Sequence, residues 1–322
     1  MMTELPSYSQ LPVQPGKPPR SAWGVWGEDD ELGTVNLLTQ ERAVRGLGLA
    51  KHGRVFPLNW ELEQPNPPFY GRQPLVHHID RPLAGLPILD DSMDTFFTQA
   101  SSQWDALCHV GHPEYGFYNG RVDADFTGVP GTRNGIEHYA RRGLVGRGVL
   151  LDMARLYEAE GHPIDGGTHV EFTPDDLERA RIAAGLEFEP GDVLIIRTGW
   201  MSWYLNADDT TKQDLAQDSL ARLKTPGVIG GEAMAEYLWD QHFSAVAADN
   251  PAFEAWPHAL EVDQYLHYRL IALLGIPMGE MWFVEDLAAD CAADGVNEFL
   301  FTSAPLNLLG GVGSPPNALA IK

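Results

Sequence analysis

The sequence predicts an α/β fold, a single domain built around one mixed sheet. Two observations carry this: short apolar runs of strand length are interspersed with helix-like segments, and no internal repeat or linker divides the chain. The 322 residues are 44% hydrophobic, enough for a large core. Residues 1–21 are polar and Pro-rich and read as an extended arm, either wrapped on a partner subunit or disordered, ahead of a domain spanning 22–322.

A helix is expected from Thr39, its N-cap, to about Lys51, with His52-Gly53 as the stop. Strands are expected at Arg54–Leu62, Arg147–Met153, Val193–Thr198 and Ala245–Ala248, each short, apolar and flanked by Gly, Asp or Pro. Thr173-Pro174-Asp175-Asp176 reads as a capping box opening a helix that Gly185 ends. Further helices are expected over Gly231–Gln241 and from about Leu260 to Leu274. The tail, Phe299 to Ile321, reads as strand, glycine-rich loop and strand. That loop lacks the spacing of a nucleotide-binding loop.

Formal net charge is −23, and only five of the basic residues are Lys. Such a field repels nucleic acid and anionic membranes, so a small neutral or weakly charged molecule is the expected partner. The two cysteines, Cys108 and Cys291, form neither a disulfide framework nor a Cys-rich zinc site. The N-terminus lacks the apolar core of a secretory signal, and no segment approaches the roughly 20 apolar residues of a membrane span, so a cytoplasmic location is expected.

Chemistry is expected around Gln99-Ala-Ser-Ser-Gln103-Trp104-Asp105-Ala-Leu-Cys108-His109. If extended, this stretch puts Gln99, Ser101, Gln103, Asp105, Leu107 and His109 on one face, which is either solvated or used. Trp104 and Cys108 then fall on the other face and pack. His267 shares a helical face with Leu270, Ile271 and Leu274, where a histidine is either a satisfied core residue or a ligand. Glu280 interrupts an apolar run, and a carboxylate there needs a partner or a metal. Asp105, His267 and Glu280 together offer one imidazole and two carboxylates, a set able to hold a divalent cation. Trp23, Trp26 and Phe97 are candidate pocket walls, and His112 closely follows the polar stretch. The loop Asp249-Asn250-Pro251 to Glu254-Ala-Trp256-Pro257 follows a strand and is either a site loop or a plain turn.

These residues resemble the cyclase superfamily, whose members include kynurenine formamidase and isatin hydrolase. The family signature His-x-Gly-Thr-His-x-Asp-x-Pro-x-His falls in register with Gln99 to His109. The resemblance extends through Gly33-Thr-Val-Asn36, Gly146-Arg147 to Asp152, Gly191-Asp192 to Trp200, Asp249-Asn-Pro, Gly275-Ile-Pro-Met-Gly-Glu280 and Thr302-Ser-Ala-Pro-Leu-Asn307. It is nearest to a longer branch with Ser-Gln-Trp-Asp in the signature. The resemblance implies a swivelling β/β/α-type fold, a homo-oligomer, a zinc or manganese cofactor, and His109 as the catalytic acid/base beside Asp105. It matches Asp105, His267 and Glu280 to metal ligands. Both signature histidines are glutamine here, Gln99 and Gln103, so one site loses its imidazoles and the remaining oxygen-rich set favours manganese or magnesium over zinc. The alternative is that Gln99 and Gln103 bind substrate with no metal. Three functions are compatible with these residues: a hydrolase of an amide, lactam or lactone bond; a metal-independent lyase or cyclase using Asp105, His109 and Glu280; and a non-catalytic ligand-binding relative.

Overall fold

The computed structural model describes residues 5–126, 131–258 and 261–322. Its strands are β1 (Val55–Pro57), β2 (Val76–Asp80), β3 (Asp90–Asp94), β4 (Gln103–Asp105), β5 (Leu144–Asp152), β6 (Val170–Phe172), β7 (Val193–Arg197), β8 (Pro226–Val228), β9 (Ala245–Ala248), β10 (Met278–Glu280), β11 (Glu298–Ser303), β12 (Gly313–Ser314) and β13 (Ala318–Ile321). Nine of them form one curled mixed sheet in the order β1-β13-β11-β5-β7-β9-β10-β4-β12, among the described residues. The expected α/β class with a mixed sheet is what the chain adopts. No helix among the described residues is long and apolar enough to cross a membrane.

The middle of the sheet is parallel, from β5 through β7 and β9 to β10. β7 and β9 read Val-Leu-Ile-Ile and Ala-Val-Ala-Ala over fully buried positions, the near-continuous apolar pattern of strands covered on both faces. The helix Gln40–Leu47 sits directly on β5. Gly46 permits this, because a Cβ there would lie 2.3 Å from the carbonyl oxygen of Gly146. Thr39 caps that helix and Thr173 caps Pro174–Ala183 with the capping box read from the sequence.

Several expected boundaries shift. The strand read at Arg54–Leu62 shortens to β1, and the stretch Gln99–His109 is a strand only at β4. On either side its backbone bonds turn locally, Ala100 N–H to the Phe97 carbonyl and His109 N–H to the Ala106 carbonyl. The helix expected from Leu260 is a wide π-type helix over Tyr268–Leu274 with His267 at its N-cap; Leu260 lies outside the described residues. Residues 5–21, read as an arm, pack against their own chain. Tyr8 and Leu11 join the main core, Tyr8 N–H bonds Asp240 Oδ1 at 2.7 Å, and Trp239 Nε1–H bonds the Pro6 carbonyl at 2.9 Å.

The carboxylate of Asp249, at the end of β9, ties two elements together. It accepts from Thr198 N–H and Oγ1–H, both at 2.7 Å, and from Gly199 N–H at 3.1 Å and Met201 N–H at 3.3 Å. This satisfies the start of the helix Trp200–Asn206, whose N-cap, Gly199, has no side chain to offer. Replacing Asp249 by Ala strands several buried donors and should destabilise the fold by about 3 kcal/mol. Chemical denaturation checks this, and a loss below ~1 kcal/mol would show that the donors find other partners.

Candidate active site

β4 lies between β10 and β12, and its register assembles the site. Gln103 is opposite Glu280, and Asp105 is opposite Gly313. Cross-strand partners share a face, so Gln103, Asp105 and Glu280 project together, and the absence of a side chain at Gly313 admits the Gln99 amide. Trp104 points the other way, packs edge-on against Trp282 at 4.7 Å, and donates to Ser303 Oγ at 3.0 Å.

His267 completes the group from the N-cap of the π-type helix. Its Nε2 lies 3.1 Å from Glu280 Oε1 and its Nδ1 lies 2.7 Å from Glu254 Oε2. Glu254, fully buried in the loop after β9, also accepts from Leu266 N–H at 2.8 Å. Gln103 Nε2 donates to Glu280 Oε2. Ligand atoms of Asp105, His267 and Glu280 all lie within 4.8 Å of one another. Both oxygens of Asp105, and Oε1 of Gln103, have no hydrogen-bond partner among the described residues. His109 reaches this group through the Ala106–His109 turn, with Nε2 3.7 Å from Asp105 Oδ1.

The environment separates the protonation states. Burial, and then the Glu280 charge, push the Asp105 carboxyl well above its ordinary range, against the pull of His267 and Arg72. Burial takes the His109 imidazole down to about 4, leaving it neutral near pH 7. Burial also lowers His267, but bonds and charges from Glu254 and Glu280 outweigh it and hold that ring at about 10.

A cleft of about 390 Å³ opens above these groups. His109, His267 and Glu280 face it from below, and Tyr70, Arg72 and Trp256 from the sides. His258 stacks on Tyr265, and Tyr265 on His267, each pair 4.6 Å apart.

The structure thus brings together Gln103, Asp105, His109, His267 and Glu280. Gln99 lies beside Gly313, bonded to Thr98, and does not line the cleft. Phe97 is 42% exposed and also does not line it. Trp26 lines a different cavity with Leu37, Pro190 and His242, and packs edge-on to Trp239. Trp23 donates its indole N–H to the Ala272 carbonyl in the core. His112 stacks on Tyr115 at 4.6 Å in a third cleft. Glu254, Tyr70, Arg72 and Tyr265 enter the site without having been singled out. The loop holding Glu254 was visible as a loop following a strand; Tyr70-Gly71-Arg72 and Tyr265 carry no comparable signal.

The chain is thus an α/β protein whose curled mixed sheet carries a buried carboxylate–imidazole group on β4 and β10, next to a cleft. The family model described as "Putative cyclase" matches residues 37–255, and the chain belongs to that family. A crystal structure described as a novel cyclase is 35% identical, with 94% of this chain and 99% of that one covered and a TM-score of 0.82. Isatin hydrolase A from Labrenzia aggregata, bound to benzyl benzoate, is 16% identical over 87% of this chain and 97% of its own, with a TM-score of 0.58. Isatin hydrolase A from Ralstonia solanacearum is 17% identical over 88% and 97%, with a TM-score of 0.57. These last two share the fold. Among curated proteins none matches.

Asp105 disfavours the folded state on its own. A carboxyl whose folded pKa is raised weakens stability as pH climbs from its unfolded value, near 4, through its folded value. In metal-chelated buffer at pH 7.5, Asp105→Asn should therefore raise stability by about 1–3 kcal/mol, the new amide donating to the Gln103 or Glu280 oxygens. Thermal unfolding measures this; a variant less stable than the parent would contradict the electrostatic account.

Proposed function

We propose that this protein hydrolyses an amide, lactam or lactone bond in a small molecule, with a divalent cation held by Asp105, His267 and Glu280. The observation that carries this reading is the pair of unpartnered Asp105 oxygens, buried beside the unpartnered Gln103 Oε1, with His267 and Glu280 within ligand range. The donor set fits a cation. His267 turns Nε2 toward the group, where a cation would replace its proton, while Nδ1 is fixed by the Glu254 carboxylate, the usual support of a metal-binding histidine. The set is rich in oxygen, which favours manganese or magnesium over zinc.

A cation at this place supplies Lewis acidity for the carbonyl and acidifies a water. The chain supplies the rest. His109, neutral and facing the cleft beside Asp105, takes a proton from the attacking water and returns it to the leaving nitrogen or oxygen. Glu254 fixes the orientation of His267, and Gln103 fixes Glu280. The aromatic walls limit water around the reacting bond. That proteins of this fold are named isatin hydrolases supports hydrolysis as the reaction class.

One observation favours a second reading. Gln103, Glu280, His267 and Glu254 form a continuous hydrogen-bonded chain among themselves. In that reading Asp105 and His109 perform acid–base chemistry alone, in a lyase or cyclisation reaction.

Self-association belongs to the same proposal. The hairpin of β2 and β3 is exposed throughout and displays Val76, Ile79, Leu83, Leu86, Ile88, Leu89 and Met93. A two-stranded hairpin is barely stable in water by itself, so cover from a second copy of the chain is expected. Light scattering should read a dimer or larger, and a monomer at micromolar concentration would remove this part.

Elemental analysis and manganese titration should find a cation bound by the parent protein and lost in Asp105→Ala and Glu280→Ala. Screened against amides, lactams and lactones, His109→Ala should retain the metal while turnover falls by about 10²–10⁴-fold. Full turnover in chelated, metal-free protein would support the second reading instead.

A further inference from the structure

Arg72 is an unusual residue in this chain. Most arginines on this acidic surface are paired with carboxylates: Arg42 and Arg45 with Glu189, Arg197 with Asp152 and Glu285, Arg179 with Glu160. Arg72 makes no salt bridge to any described residue, although the Asp105 and Glu280 carboxyls lie within the same site. Its guanidinium is held in place by two neutral contacts. Nη1 donates to the Gln99 carbonyl, and the group lies 5.2 Å from the centre of the Tyr70 ring. The side chain lines the cleft beside the proposed reaction centre.

The walls next to it are aromatic. Tyr70 and Trp256 meet at 5.7 Å, and the His258–Tyr265 stack stands nearby. Flat apolar surfaces of this kind receive a planar ring. A fixed guanidinium with free N–H groups receives a planar anion, and a carboxylate matches its fork with two parallel bonds. The carboxyls of Asp105, Glu254 and Glu280 repel a dianion more than a monoanion, which favours a carboxylate over a phosphate. A cleft of about 390 Å³ suits a single substituted ring.

We infer that the cleft takes a planar aromatic acyl compound bearing a carboxylate, and that Arg72 is the specificity residue that binds this carboxylate. Such a compound is the substrate class of the proposed hydrolase, and only the chemistry after binding rests on that reading.

The test is equilibrium binding, measured by calorimetry on the full chain carrying His109→Ala so that turnover does not interfere. The probes are the three isomers of acetamidobenzoate, with acetanilide as the uncharged comparator. At least one isomer should bind about tenfold or more tightly than acetanilide. Arg72→Gln should abolish that preference while leaving acetanilide affinity within about twofold, and Arg72→Lys, a point charge without the fork, should retain only part of it. If Arg72→Gln does not fold, a drop of about threefold or more in the preference of Arg72→Lys decides in favour. Failure of all three isomers to bind at millimolar concentration, affinities equal to that of acetanilide, or a preference intact in the Arg72 variants overturns the inference. A chain that binds with this preference yet hydrolyses nothing leaves the inference standing and removes only the hydrolase reading.

Discussion

Burying several carboxyl groups beside one imidazole is unfavourable, because each loses its hydration and repels the others at short range. Asp105, Glu254 and Glu280 do this around His267, and the fold must hold them there. Glu254 and Glu280 are compensated by the ring between them and by donors from Leu266 and Gln103. Asp105 is not compensated by any hydrogen bond. Three carboxyls thus share a single imidazole, and in the proposed function a divalent cation makes up the deficit.

The architecture around the group reads as the means of enforcing it. β4 is only three residues long, yet it is pinned on both sides, by β10 and by β12. From the opposite face Trp104 locks it against Trp282, whose own indole N–H donates to the Gln103 carbonyl at 2.9 Å. Backbone and packing thus fix Gln103 and Asp105, so that neither can relax away from Glu280. The wide π-type helix serves the same end, presenting His267 at its first turn while Leu270, Ile271 and Leu274 stay in the core. Helices of this type are rare and concentrate at functional sites.

How much of this was legible in the sequence depended on range. The parallel strands announced themselves as short apolar runs, and Thr39 and Thr173 as caps, because those signals are local. Asp105 stood out on a polar strand face, and His267 and Glu280 as polar groups in apolar surroundings; their ligand atoms lie within 4.8 Å of one another. Alternation holds for Gln103 and Asp105, which lie on β4, and ends before Gln99, where local turns replace the ladder. His109 was placed rightly for a different reason, since a turn rather than a strand returns it to Asp105. Arg72 was not legible as a site residue, and Glu254 only as part of a loop read as either a site loop or a plain turn. Their roles depend on which distant loop comes to rest beside His267 and above the cleft, and no periodicity encodes that.

The glutamine at 103 takes on a different meaning once the geometry is known. Set beside the family signature, it is a missing imidazole. In place, its amide N–H₂ bonds Glu280 across the strand pair, while its carbonyl oxygen remains unpartnered beside Asp105. A histidine could not supply both a donor to Glu280 and an oxygen to the group. The Gln99 side chain rests against Gly313, opposite Asp105, with its Oε1 accepting from Thr98, and its backbone carbonyl accepts from Arg72. The two substitutions are therefore not equivalent. Gln103 presents an amide oxygen to the group, whereas Gln99 supports the guanidinium that lines the cleft.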